Sequence, residues 1–251
     1  MTEMDRIPLI FDIKRTSTVD GPGVRTAVFL KGCNLDCFWC HNPEGKQAET
    51  EYARFAEKCV GCGACHREDL SSDDRVAQCP TQARRRYGER YTPDELMSIL
   101  VADKDFYLAT GGGVTFSGGE CMLYPGFLAE MAKRCCEEGI SVAVDTAGNV
   151  PYESFEQVLP YTDIFLYDIK CLDADLHRRG TGCGNKRILA NLEKLRETGK
   201  RIIIRIPQIP DFNEGAEVER ILSYCAERGL RCEVLPYHRF GEDKKNALLC
   251  R

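Results

Sequence analysis

Thr26-Ala27-Val28-Phe29-Leu30-Lys31-Gly32-Cys33-Asn34-Leu35-Asp36-Cys37-Phe38-Trp39-Cys40 joins an apolar run to three closely spaced thiols. The run is short and β-rich and reads as a buried strand. Cys33, Cys37 and Cys40 then share one short loop, with three and then two residues between them. Three thiolates hold three irons of a [4Fe–4S] cubane and leave the fourth iron without a protein ligand. An open iron binds and activates a small molecule, as an open catalytic zinc keeps a position for its substrate. A cluster that only carries an electron would be closed by a fourth thiolate. The spacing points to chemistry at the metal.

With fifteen cysteines in 251 residues, one three-cysteine spacing is by itself only a suggestive motif. A second group strengthens it. Cys59, Cys62 and Cys65, then Cys79-Pro80 after thirteen further residues, form the ligand run of a bacterial-type ferredoxin with a lengthened last gap. Four thiolates close on a single [4Fe–4S] cluster, and Gly61 and Gly63 suit a backbone wrapped round a cofactor. A four-thiolate zinc site uses similar pairs and stays open as an alternative. A disulfide framework fits poorly with a long chain that shows no signal peptide. Cys121, Cys135, Cys136, Cys171, Cys183, Cys225, Cys232 and Cys250 form no ligand-spaced group and read mostly as small buried hydrophobes. So many reduced thiols imply a reducing, anaerobic cytoplasm.

Net charge of −5 gives no electrostatic reason to expect nucleic acid. No apolar run approaches the roughly 18 residues that mark a membrane span. The short Arg84-Arg85-Arg86 reads as a solvated turn or a partner-docking patch.

Strand-like runs at Thr26–Lys31, Val114–Ser117, Val142–Thr146, Ile164–Ile169, Ile202–Ile206 and Glu233–Tyr237 alternate with helical patterns. The helices are expected near Pro93–Val101, Pro125–Glu138, Tyr152–Leu159, Lys186–Thr198 and Ala216–Arg228, with Gly139, Gly199 and Gly229 closing three of them. This alternation predicts an α/β fold with a parallel sheet and right-handed crossovers. Six strands are too few for a closed barrel, so the expected architecture is an open, partial (β/α)6 TIM-like barrel. Residues 51–90, polar and cysteine-rich, show neither helical nor strand periodicity. They are expected to form a small iron–sulfur insert with a core too poor to fold without metal, leaving 1–50 and 91–251 as the barrel.

Ligands of parallel barrels collect at the carboxyl ends of the strands. Several polar motifs fall there: the cysteine loop, Ser117-Gly118-Gly119-Glu120, Asp145-Thr146, Asp168 with Lys170, Arg205, and Tyr237-His238. Glu120 offers a carboxylate to an amine, and the glycines let backbone approach a ligand. Singly, each reads as an ordinary turn, a solvated charge or a satisfied histidine; together on one rim they read as a site.

Cys-x3-Cys-x2-Cys with Trp39 before its last cysteine, followed by Gly-Gly-Glu, resembles the radical S-adenosylmethionine superfamily. Thr18–Arg25, Cys40–Gly45, Gly112–Glu120 and Tyr167–Lys170 further resemble the glycyl-radical-enzyme activating enzymes, and the cysteine-rich insert is similar to their ferredoxin-like inserts. The resemblance implies that Cys33, Cys37 and Cys40 hold the cluster whose open iron is chelated by S-adenosylmethionine. It places Glu120, Gly118 and Gly119 at the methionine amine, Asp168, Lys170 and His238 around ribose and carboxylate, and Trp39 beside the adenine. Asp20 matches a position at the partner's glycine loop, and Arg205 borders the same cavity. Asp145 and Asp168 match residues that hold a monovalent cation. The implied partners are a glycyl radical enzyme and a flavodoxin or ferredoxin as electron donor, with the chain acting as a monomer. Alternative readings are a radical enzyme acting on a small molecule or peptide, an electron carrier, or a zinc-stabilised module.

Three departures stand out. Cys121-Met122 replaces the usual Pro-Leu, Asp211 stands where relatives usually have glycine, and the chain ends soon after His238.

Overall fold

The computed structural model describes residues 7–249; Cys250 lies outside them. Six strands run parallel in one sheet: β2 (Arg25–Leu30), β5 (Gly113–Gly118), β6 (Ser141–Thr146), β7 (Ile164–Asp168), β8 (Arg201–Gln208) and β9 (Arg231–Pro236). Every residue of β2 is buried, as befits a strand covered on both faces. The crossovers are helical: α2 (Pro93–Val101) and α3 (Lys104–Thr110) precede β5, and α4 (Pro125–Glu137) and α5 (Tyr152–Val158) flank β6. Then α6 (Ala174–Thr181) and α7 (Lys186–Glu197) precede β8, and α8 (Ala216–Glu227) precedes β9. The main core, with Phe116, Met131, Phe155 and Leu192, lies between sheet and helices.

The six parallel strands and five of these helices match the sequence-based expectation. Gly139, Gly199 and Gly229 adopt φ of 69°, 72° and 64°, the left-handed geometry of helix ends.

A seventh strand was not expected. β1 (Ile10–Ser17) pairs antiparallel with β2 and forms one sheet edge. Among the described residues the sheet stays open between β1 and β9. The result is an α/β fold with a mostly parallel sheet.

Residues 51–90 also correct the expectation of no regular structure. β3 (Glu51–Arg54) pairs antiparallel with β4 (Arg84–Tyr87), so the arginine triplet lies on a strand rather than a turn. Between them α1 (Ser72–Ala77) is capped by Ser71 and Asp74 in a reciprocal box. The core of this unit is small: Ala53, Phe55 and Tyr87, completed by Ala247. Ala247 comes from a last helix, α9 (Phe240–Leu249), which packs on β3.

Candidate active site

The carboxyl ends of the parallel strands surround one cleft. Cys33, Cys37 and Cys40 line it from the loop after β2, and Gly118 and Gly119 from the turn after β5. Asp145, Asp168, Lys170 and Arg205 close the rest, with Trp39 on one wall.

Backbone interlocking fixes the two turns. Gly119 N–H donates to the Leu30 carbonyl at 2.9 Å and Glu120 N–H to that of Gly32 at 2.7 Å. A Cβ on Gly119 would lie 2.3 Å from the carbonyl oxygens of both Gly32 and Gly45. Only glycine allows this approach.

The three thiols face the cleft from a packed patch of Leu35, Trp39, Ala147 and Ile209. Burial pushes Cys33 up to about 12 and Cys37 up to about 11, and it raises Cys40 as well. Three thiols lining one cleft fit a polynuclear cluster, in which each thiolate serves its own iron. Lys170, 9% exposed, donates to Asp168 Oδ2 at 2.6 Å. Burial is the largest single influence on Lys170 and acts downward, yet Asp168 and the Cys37 thiol together raise its value. A buried ammonium beside three thiols is a ready counter-charge for thiolates.

A second ion pair spans the floor. Arg205 Nη1 donates to Asp145 Oδ2 at 3.0 Å, and Ser117 Oγ donates to the same oxygen at 2.7 Å. Arg205 is held above its ordinary value, first by Asp145, and Asp168 and Asp20 add to the effect. Asp20 is buried, accepts a hydrogen bond from Ser17 Oγ, and is fixed through its own carbonyl by Thr115 Oγ1 at 2.6 Å. It joins the electrostatic group without lining the cleft.

Glu120 departs from the role read in the sequence. Its carboxylate faces inward and accepts from Thr146 Oγ1 at 2.8 Å, Ala147 N at 2.9 Å and Met122 N at 3.1 Å. Burial pushes its value up to about 7 against these bonds. His238 also lies off the cleft. It stacks on His41 with ring centroids 3.9 Å apart, on the far side of Cys40. Cys121 is fully buried, its thiol directed at the Phe116 and Asp145 carbonyls, so it adds no thiol to the cleft.

Sequence reasoning passed over several contributors. Phe212 packs on Trp39 at 4.4 Å, and Lys46 bonds to Asp36 and to the Cys37 carbonyl at 3.1 Å. Lys46 sits just past the cysteine loop, so its charge beside thiols was a usable signal; the aromatic contact joins positions too distant to read. Asp211, beside Phe212, adopts φ of 58°, a left-handed geometry that glycine takes up more readily.

The four cysteines of the insert sit differently. Cys62 is exposed, and Cys59, Cys65 and Cys79 are half-buried. The Gly61 N–H and Arg54 lower Cys59. For Cys79 burial is the largest single influence and acts upward, but the N–H groups of Arg84, Thr81 and Ala83 and the Thr81 hydroxyl together lower it. Of the other described cysteines, Cys135, Cys171 and Cys225 are buried like Cys121, Cys183 and Cys232 are partly so, and Cys136 is exposed.

Residues 27–225 match the radical SAM superfamily. The isethionate sulfite-lyase activating enzyme of Nitratidesulfovibrio vulgaris is 35% identical, over 96% of this chain and 87% of its own. The trans-4-hydroxy-L-proline dehydratase activating enzyme of Clostridioides difficile is 36% identical, over 94% of this chain and 86% of its own. Among solved structures, Streptococcus suis SuiB bound to its precursor peptide SuiA superposes with a TM-score of 0.58 at 17% identity, over 86% of this chain and 39% of SuiB. That likeness is one of fold.

Proposed function

Because this chain belongs to the radical S-adenosylmethionine superfamily and is a glycyl-radical-enzyme activating enzyme, we propose that its strand-end cleft is where the cofactor is held and the partner's glycine is met. The observation that carries this reading is the convergence of Cys33, Cys37, Cys40, the Gly118-Gly119 backbone and the Asp168–Lys170 pair on one cleft. In this reading the sheet is an open, partial (β/α)6 TIM-like barrel built from 1–50 and 91–251, and 51–90 is a ferredoxin-like insert.

Cys33, Cys37 and Cys40 would hold a [4Fe–4S] cluster with one iron left for S-adenosylmethionine. Bound there, the reduced cluster would supply the one electron that splits the sulfonium C–S bond of S-adenosylmethionine into methionine and a 5′-deoxyadenosyl radical, which would take a hydrogen atom from a glycine Cα. The protein orients and excludes water. Lys170 balances thiolate charge, and Trp39 with Phe212 forms a dry wall for the adenine. The Gly118-Gly119 backbone meets the methionine amine. Glu120 acts through others: by holding Thr146 and Ala147 it sets the turn at the cleft floor. His238 acts in the same indirect way, seating His41 against Cys40. Arg205 faces the approaching glycine, whose Cα must come within roughly 3–4 Å of the radical carbon, and Asp20 acts from behind the cleft through its charge on Arg205. Asp145 already answers Arg205, and Asp168 answers Lys170. A monovalent cation at these two carboxylates would share them with Arg205 and Lys170.

The insert's Cys59, Cys62, Cys65 and Cys79 would hold a second [4Fe–4S] cluster fed by a flavodoxin or ferredoxin. The partner is a glycyl radical enzyme; relatives at 35% and 36% identity carry names of different partners, so identity does not select one. No helix among the described residues is long and apolar enough to cross a membrane; we place the reaction in the cytoplasm, with the chain a monomer.

Anaerobic reconstitution with iron and sulfide, reduction by dithionite and assay for 5′-deoxyadenosine test this. Wild type is expected to carry about eight irons and form the product. Cys37→Ala should keep the insert's iron and form none. Product from Cys37→Ala, or zinc in place of iron, would sink the assignment.

A further inference from the structure

Lys31 follows β2, two positions before Cys33, and is fully buried. Its ammonium donates to the Glu44 carbonyl at 2.5 Å and to Glu51 Oε2 at 2.8 Å. Glu44 belongs to the loop that continues from Cys40, and Glu51 opens β3 of the insert. One buried ammonium thus bonds to both parts at once. The same loop is gripped from its other side. Lys244 of α9 donates to Glu44 Oε1 at 2.6 Å and to the His41 carbonyl at 3.3 Å. Gly241 packs so tightly that a Cβ there would lie 2.3 Å from the Cys40 carbonyl oxygen. Farther along α9, Ala247 completes the insert's small core. Both grips on the loop therefore lead to the insert.

We propose that Lys31 is a positioning residue that transmits the seating of the insert to the loop carrying Cys40, and so sets the geometry in which the open cluster receives S-adenosylmethionine. The inference rests on the ligand assignment above. A charge buried without its partner is costly. When the insert is ordered, Glu51 fixes the ammonium and the ammonium fixes the Glu44 carbonyl. When the insert loses its order, Glu51 withdraws and the loop loses one of its two holds.

Wild type, Glu51→Ala, Cys62→Ser and the double variant would be reconstituted anaerobically. Iron per chain, melting temperature, S-adenosylmethionine affinity and the EPR spectrum of the reduced protein with and without S-adenosylmethionine would be measured. Glu51→Ala should keep the wild-type iron content, lose affinity about tenfold and alter the S-adenosylmethionine-induced line shape. Cys62→Ser should do the same to the open cluster, and the double variant should be no worse than the poorer single one. Wild-type affinity and line shape in Glu51→Ala, or fully additive losses, would overturn the proposal. Lys31→Met with Glu51→Leu separates positioning from stability. An apolar pair replaces a merely structural bridge without loss, so melting should recover while affinity stays low, and recovery of both overturns the inference. A wild-type spectrum indifferent to S-adenosylmethionine would instead remove the ligand assignment, and this proposal with it.

Discussion

The two cysteine groups of this protein are built in opposite ways. Cys33, Cys37 and Cys40 sit in a packed patch at the end of a fully buried strand, where burial holds their protons. Cys59, Cys62, Cys65 and Cys79 lie on a thin unit whose core is three of its own residues and one from α9. There, local N–H groups and Arg54 favour the Cys59 and Cys79 thiolates. One loop takes most of its shape from packing and only a hold from the insert; the other has little to hold its shape except a metal. A reaction centre needs the first kind of site, since a radical must meet one hydrogen in one place. A unit that only closes a cluster tolerates the second.

The comparison breaks most plainly on removing iron. Amide hydrogens of 51–90 should then exchange far faster, while those of β2, β5 and β6 stay protected, because local stability follows buried apolar contact. Equal protection in iron-free protein would show that the insert folds by itself. Glycine substitutions probe the same contrast with less force. Gly119→Ala would drive a Cβ to 2.3 Å from two backbone oxygens, and should cost about 3 kcal/mol and the open cluster's iron. A Cβ on Gly61, at φ of 68°, would have nothing within 4 Å, so Gly61→Ala meets only backbone strain. Its cost should be about 1 kcal/mol, confined to the insert. Iron counts and melting curves decide; equal losses would erase the distinction.

How much of this was legible follows from the same physics. Five of the parallel strands, β2 and β5 to β8, declared themselves because both their faces are largely buried, which makes short apolar runs such as Val142–Val144, whereas β9 is half exposed. β1 did not, since an edge strand with one wet face mixes Asp12, Lys14 and Arg15 among its apolar residues. β3 and β4 read as charged loop because their pairing, and not their composition, makes them strands. Of the site, the cysteine loop and the strand-end charges were visible as motifs. The Asp145–Arg205 pair depends on packing across the sheet, and the inward turn of Glu120 depends on Thr146 and Ala147. Neither is written locally.

Glu120 sharpens the comparison through pH. Its folded value of about 7 lies above the ordinary 4.5, so its contribution to stability is whole below about pH 4.5 and is lost as pH rises through about 7. The difference is worth about 3 kcal/mol. Wild-type melting temperature should therefore fall between about pH 5 and pH 7.5, and Glu120→Gln should be lower at pH 5 and flatter across the range. Parallel melting profiles for the two proteins would mean that the carboxyl is ionised throughout and that burial does not govern it.

The smallest effect concerns the wall that the cysteine loop borrows from a distant turn. Asp211 holds φ of 58° and donates its N–H to Glu214 Oε1 at 3.1 Å, while the next residue, Phe212, packs on Trp39. Asp tolerates the left-handed region better than most residues, and Ala does not. Asp211→Ala should lose about 1 kcal/mol in urea unfolding. Asp211→Gly should stay within about 0.5 kcal/mol, because relief of backbone strain is offset by a freer unfolded chain. Trp39 is the single tryptophan of the chain, so its emission reports the wall directly. Unchanged emission in Asp211→Gly is expected if backbone geometry alone places Phe212. A shifted emission would show that the Asp211 side chain shapes the cleft, and the loop would then be less self-contained than its burial implies.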